Sequence, residues 1–541
     1  MVGGKPGSFR VGEAALRSTS MRAVVCSSPS VSPEEHGRLA GDDGRSRRHG
    51  PAAEKEESER VIKHRIVGGI SALAVACAGG AVALSQAPST PQRTSASAVA
   101  APPAPLSFAC GGKFQRTVAE GVNVGNVNES IRVRSWAVAA STDGGQAPRT
   151  RIDGTRKIPT VGKLAFAAED SALEGVISTD SVATGAAELA AGTLHTAVGG
   201  DLRGIAMNPC QRAALDQWIV GSSAKVGVSN QLILTNPGAN AVTVSIAAHT
   251  GVGKAELGAN STVVVPSKAT KRVLLDGSLS DQDRVAFHVT TKSGGVALSM
   301  QAAALDGYTP TGVSFITPSQ AGRSLTIPGV AINETGGASL RIANPNGKAV
   351  TANVSTFSDA GKKPLPGGRG VKIAPGAVLD LSLEGIPAGQ TSVSVEASQP
   401  VAAGARSVSK RAEGAPSDDA WAAPRPAEAA GSAVYGPMTA RVVAVAGDKR
   451  ATVTATPISE SGREMEPVRA NIGPNSQGVL DMPKGTVAVR YASTAPVSTA
   501  VATSTEVQDG LGLDWVPVAS SGLSEESRRI ALGYVPAGSA N

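Results

Sequence analysis

LTNPGANAVTV, residues 234–244, returns 108 positions later as IANPNGKAVTA, residues 342–352. Both copies place Asn-Pro (Asn236-Pro237 and Asn344-Pro345) after an apolar run, with Ala-Val-Thr at the same offset. Proline pushes the residue before it away from the helical region toward extended backbone. Asn, Pro and Gly together suit a strand end and a tight connection. The last unit along the chain has Ala446-Gly447 at this point. A pair that one repeat does without is a joint of the fold, not the seat of a shared reaction.

Two further markers recur. DSVATGAAE (180–188), SGGVALSMQ (293–301), SQPVAAGAR (398–406) and TAPVSTAVA (494–502) each read as a small-residue hairpin around a valine. DQWIV, SFITP, DAWAAP and DWVPV then close each unit on an aromatic, at Trp218, Phe315, Trp421 and Trp515. All three markers agree on a period of about a hundred residues, too long for a solenoid and right for a sandwich domain. Between them lie short β-branched runs such as AVTVSIAA and STVVVP, separated by Gly, Pro and Asn breakers. Such runs indicate antiparallel strands. The expected fold is all-β: tandem immunoglobulin-like β-sandwich domains at 108–218 (disulfide-closed), 219–316, 317–421 and 422–520, with a C-terminal tail at 521–541. The only stretch tempting for a helix, 167–191, carries the hairpin marker and is read as strand. In an aromatic-poor chain the four closing aromatics are read as core, not as a sugar-stacking platform.

Aromatics make up 3% of the 541 residues against 41% apolar residues in all, so the cores must be built from Val, Leu, Ile and Ala. Gly and Pro number 63 and 34, as turn-rich β modules require. The net charge of +7 does not signal nucleic acid. Residues 1–65 contribute twelve basic against nine acidic side chains, and the remainder is spread thinly with no basic stripe among aromatics.

Ile66 to Leu84 is uncharged for nineteen residues and follows Lys63, His64 and Arg65. That length spans a hydrocarbon core, and the flanking charge places the N-terminus inside. The same stretch also fits a secretory signal, with Ser85-Gln86-Ala87 at the cleavage point. A lipid anchor on Cys77 is the weaker reading, because Ala74 stands where such a signal wants a Leu-like residue. Residues 61–87 are therefore a transmembrane anchor or signal peptide, residues 88–107 a Pro/Ala/Ser/Thr linker, and residues 1–60 a charged extension of disordered composition. Of four cysteines, only Cys110 and Cys210 follow this segment, and two cysteines on the oxidising side read as one disulfide. Closing so long a loop is worth about 4–5 kcal/mol in the chain-entropy model.

RGIAMNPC (203–210), DQWIVG (216–221), LILTNPG (232–238) and DAWAAP (419–424) resemble a family of membrane-anchored or secreted actinobacterial proteins known as domain of unknown function 5719. The resemblance covers roughly 105–520 and implies an extracytoplasmic repeat protein. It supplies no catalytic residue.

Chemistry is sparse. His195, His249 and His288 stand singly, with no HExxH, and no GxSxG elbow occurs. Ser222 and Lys225 in VGSSAKVG have Ser-x-x-Lys spacing but lack helical surroundings, and the stretch is read as a loop between units. Asp281/Asp283 and Asp418/Asp419 are pairs, too few for the six or more oxygens calcium takes. The expectation is a non-enzymatic, extracytoplasmic cell-envelope scaffold or binding module without cofactor or metal. Its partner would be an envelope protein or polysaccharide, with membrane contact through residues 66–84 and no nucleic acid. The alternatives are an enzyme or enzyme accessory on cell-surface polysaccharide, and a passive spacer. Translation is expected to begin near Val61 from a non-ATG codon, and peptides from residues 1–60 in a cellular proteome would overturn that.

Overall fold

Strands form where β-branched alternation is dense. Val242–Thr250 and Val350–Ser358 bury every second side chain along most of their length, the pattern of a half-buried sheet. The computed structural model describes residues 98–100, 105–115, 131–182, 185–279, 281–335, 337–410, 412–521 and 529–531. The extension, the 66–84 segment and most of the linker and tail lie outside these residues. Ala98–Ala100 of the linker pairs antiparallel with Arg529–Ala531 of the tail. Among the described residues there is no α-helix, and no helix long and apolar enough to cross a membrane. The fold is all-β, in several sheets.

One strand order occurs four times. In the first repeat, Leu106–Gly111, Glu174–Thr179, Thr150–Ile152 and Arg156–Lys157 form one sheet. Leu164–Glu169, Ile131–Ser141, Ala187–Ala197 and Gly204–Pro209 form the sheet that faces it, with Thr160–Val161 at its edge. In the second, the corresponding sheets are Asp216–Val220, Val285–Thr291, Val242–Thr250, Gly253–Ala255, and Thr270–Leu274, Val228–Thr235, Ala297–Asp306, Thr309–Ile316. The third repeat opens at Gly322–Ile332 and closes at Ser417–Ala422; the fourth opens at Ala427–Val434 and closes at Gly510–Pro517. In these two a single 22-residue strand, Gly389–Lys410 or Thr486–Val507, serves both sheets. SQPVAAGAR and TAPVSTAVA lie mid-strand, so they are not hairpins: the chain crosses there from one sheet to the other around the fully buried Val401 and Val497.

The repeats do not run as a string. Each closing strand packs against the closing strands of both neighbours, and the fourth returns to the first. Gly204–Pro209 and Ser417–Ala422 are consequently buried at every residue. Asp418 sits where the four strands meet and is wholly buried. Its carboxylate accepts the backbone N–H groups of Ile205, Val313 and Leu513 at 3.1, 3.1 and 3.0 Å, one from each of the other repeats. The residues just before these donors are Gly204, Gly312 and Gly512. A Cβ on Gly204 would stand 2.6 Å from the Asp418 carboxylate, and one on Gly312 2.5 Å from that of Asp419. Gly204 thus makes room for Asp418 and Gly312 for Asp419, while a Cβ on Gly512 would press first on Ile205, 3.2 Å away.

Side chains next along these strands lock the ring in one direction. Phe315 of the second repeat meets Phe114 of the first at 5.4 Å. Trp421 of the third enters the core of the second. Trp515 of the fourth enters the core of the third and donates its indole N–H to Pro328 O at 2.7 Å. Met207 of the first completes the cycle in the core shared with the fourth. Met207, not Trp218, is therefore the first repeat's counterpart of the closing aromatics; Trp218 lies in the strand that opens the second repeat.

A polar clamp crosses each junction. Arg272 reaches Gly111 O and Lys113 O. Arg341 binds Ser222 O and Asp283 O while paired with Asp380. Gln477 bonds Ser392 and Gln390 O. Arg490 closes the ring on the buried Glu188 at 2.6 Å and on Ser141 O at 2.8 Å.

Asp418→Ala would strand three buried N–H donors, each costing about 1–3 kcal/mol. We expect a loss of about 3–6 kcal/mol in urea unfolding, with Asp418→Asn losing less. An unchanged midpoint for Asp418→Ala would show that the ring does not depend on this carboxylate.

Candidate functional site

Beyond its buried aromatic or methionine, each closing strand meets a proline within two or three residues: Pro209, Pro318, Pro424 and Pro517. Proline offers no N–H to a ladder and so weakens the pairing there, although Cys210 N still reaches Ala191 O at 2.8 Å. The four chains diverge, and the space between them is a pocket of about 530 Å³, within the range of about 300–1,000 Å³ usual for small-molecule sites. All four repeats supply its wall, including Cys210-Gln211-Arg212, Ser319-Gln320-Ala321, Pro424-Arg425-Pro426 and Val518-Ala519-Ser520.

Most of the wall is Pro, Ala, Val and Leu, with one aromatic, Phe108, and the guanidinium of Arg212 lies over that ring at 5.4 Å. Arg212 also donates to Ser520 O and Ser521 O at 3.1 and 3.3 Å. Arg425 is half-buried and donates Nη2 to Val518 O at 2.8 Å. Neither has a carboxylate within ion-pairing distance among the described residues. Burial pulls both guanidinium groups below their ordinary value, opposed for Arg212 by Glu428 and for Arg425 by Tyr491 and then Glu428. Two more polar groups at the wall lack hydrogen-bond partners: the hydroxyl of the fully buried Ser432 and Nε2 of Gln211.

The residues expected from the sequence are distributed as follows. Cys110 and Cys210 are disulfide-bonded, and Cys210 belongs to the pocket wall. Asn236 and Asn344, both fully buried, hold loops remote from the pocket. Nδ2 of Asn236 donates to the carbonyls of Asn240, Val265 and Pro266, and Oδ1 accepts from Gly238. Asn344 makes the same set with Lys348, Ile373, Ala374 and Asn346. Pro237 and Pro345 follow them in these loops. The fourth repeat keeps the backbone bonds of this joint, Ala446 N to Ser476 O and Asn475 N to Gly447 O, without the asparagine amide.

Trp218 stacks on His288 at 4.3 Å and lies 5.1 Å from His249, so two histidines read as solitary share one indole. His249 bonds Gly376 O and His288 bonds Asp216. VGSSAKVG joins the first and second strands of the second repeat, so it is not a loop between repeats, and Lys225 pairs with Asp283 at 2.5 Å. No group of three or more His, Cys, Asp or Glu with metal-binding geometry occurs among the described residues. The pocket is assembled from widely separated stretches, so no single local motif announces it. Its signal is the proline that recurs after each aromatic in SFITP, DAWAAP and DWVPV.

These features define an all-β protein of four repeats closed around a central pocket. A family model described as "Family of unknown function (DUF5719)" matches residues 165–483, and the chain belongs to that family. No curated protein and no solved structure matches it.

The ring centre also holds Asp514, whose carboxylate accepts from Met207 N at 2.6 Å and Trp515 N at 2.8 Å. Burial pushes Asp514 up to about 8 despite these two bonds. Burial likewise raises Asp418, opposed by the Val313 N–H and reinforced by Asp419. A carboxyl raised on folding stabilises fully below its unfolded pKa of about 4, and that share is lost as pH rises through the folded value. Burial lowers His195 to about 4, with the opposite sign, but that group acts only below about pH 6.5. Melting temperature should therefore fall between pH 6.5 and 8.5, and more steeply in the native protein than in Asp514→Asn. Parallel melting profiles would mean that Asp514 is ionised in the folded protein at neutral pH.

Proposed function

We propose that this chain is a non-enzymatic extracytoplasmic cell-envelope protein, exported or anchored through residues 61–87, whose repeats form a binding module for a ligand in the central pocket. The observation that carries the reading is the chemistry of the pocket wall. It presents guanidinium, amide and hydroxyl groups, and no carboxylate, imidazole, amine or free thiol. General acid–base catalysis needs a group that titrates near the working pH, and covalent catalysis needs a nucleophile beside a base. The wall supplies neither. It does supply shape, apolar surface and hydrogen-bond donors, which are what a binding site needs.

The Cys110–Cys210 disulfide supports an oxidising compartment, and the uncharged Ile66–Leu84 stretch supports export. A passive spacer would have no use for a pocket built from four repeats. The finer fold reading, immunoglobulin-like sandwiches, is supported by the shared two-sheet order, although the 22-residue strands serving both sheets depart from that pattern.

Native mass spectrometry of the full chain, released from the membranes of its own cells, should show a retained small-molecule mass. Ala321→Trp, which intrudes on the pocket, should lose it. Protein that carries no added mass in either form would sink the binding reading.

A further inference from the structure

The polar groups of the pocket are unevenly matched. Arg212 and Arg425 bring two permanent positive charges to an apolar wall, and both spend hydrogen bonds only on backbone carbonyls. Arg425 is half-buried and Arg212 exposed, so both can meet an anion that enters from solvent, and the half-buried charge gains most from a partner. Guanidinium groups in such settings recognise carboxylate or phosphate, often with two parallel bonds. Gln211 Nε2, itself buried, is a further donor without an acceptor, and the Ser432 hydroxyl can give or accept one bond. The rest of the wall is aliphatic and proline-rich.

A sugar would call for aromatic platforms, and the one aromatic here, Phe108, is covered by Arg212. A cationic ligand would meet two like charges. A fully apolar ligand would leave the guanidinium groups and the Gln211 amide unpaired. We infer that the pocket takes an anionic amphiphile, an apolar chain ending in one carboxylate or phosphate, with Arg425 and Arg212 on the head and the aliphatic wall on the chain. The inference rests on the binding reading above and narrows it to a ligand class. A free acid and a membrane lipid share this chemistry.

Isolated membranes carrying the full chain would be labelled with a photoreactive palmitate analogue, and the modified peptides mapped. Label is expected in residues 209–214, 318–326 or 516–520. Palmitate and hexadecyl phosphate should suppress it at concentrations at least tenfold below those needed for hexadecanol, which has the chain without the charge. Acetate, which has the charge without the chain, should not compete. Arg425→Gln and Arg212→Gln should each reduce labelling about tenfold, with native melting temperature as the check on folding.

Phosphatidylglycerol vesicles distinguish the sources. Competition assigns a membrane lipid and its absence a free single-chain anion, and either upholds the class. Hexadecanol competing as well as palmitate would overturn the anionic head while leaving the binding reading intact. Label confined to surfaces away from the pocket would overturn the inference. Failure of the binding reading itself shows separately, as protein without a retained mass. The wild-type competition series decides the question even if the arginine variants fold poorly.

Discussion

One carboxylate answers a problem that four sandwiches would otherwise face separately. The strand that closes each repeat is the edge of its sheet, and an edge leaves a row of backbone N–H and C=O groups unpaired. Around a common centre these edges meet without forming a continuous ladder, so their inward N–H groups must find acceptors elsewhere or pay for burial. Asp418 accepts from Ile205, Val313 and Leu513 and so satisfies three edges from the fourth. The arrangement cannot be symmetric. Four aspartates at this level would place like charges together in a dry centre, so one repeat offers the acid where the other three have Gly204, Gly312 and Gly512. The divergence of the repeats is a condition of closing the ring.

The packing has the same one-way character. Phe315, Trp421, Trp515 and Met207 each fill part of a neighbouring repeat, so each core is completed from the adjacent repeat. In a chain with so few aromatics, several of the bulkiest residues stand at junctions, while Val, Ala, Leu and Ile, with Phe287 and Phe108, fill the interiors. Repeats joined like this lean on one another far more than beads on a flexible string do. Ion pairs add registration rather than bulk: Arg490 to Glu188 fixes how the last repeat meets the first, though burial opposes the charge on Glu188.

What could be read from the sequence was local or periodic. The Asn-Pro joints, the alternating runs, the hundred-residue period and the pairing of Cys110 with Cys210 all follow from short-range chemistry or counting. What escaped depends on distance. Asp418 looks like half of a solvated acidic pair until it is placed against partners 213, 105 and 95 residues away. Met207 carries no aromatic marker, because the first repeat fills its junction with a thioether. Asn236 was legible as a turn residue. Its buried amide, bonded to carbonyls 29 and 30 residues downstream, was not. Val401 and Val497 lie mid-strand where their surroundings suggest hairpins, because small residues and proline look alike at a turn and at a sheet crossing.

The pocket follows from the same constraint as the ring. Where the closing strands begin, Asp418 and its three glycines fill the centre. Where they end, proline removes the N–H that would continue each ladder, and nothing of comparable size occupies the gap. Closure therefore produces both a packed end and a hollow one, and the hollow end is walled by all four repeats. A ligand seated there touches every repeat at once, so its binding energy opposes separation of any one of them. By linkage, a ligand that binds only the closed ring stabilises it as RT ln(1 + [L]/Kd). The ring's stability and the pocket's occupancy are then one equilibrium, which gives the protein a physical reason to be built as a ring instead of a string.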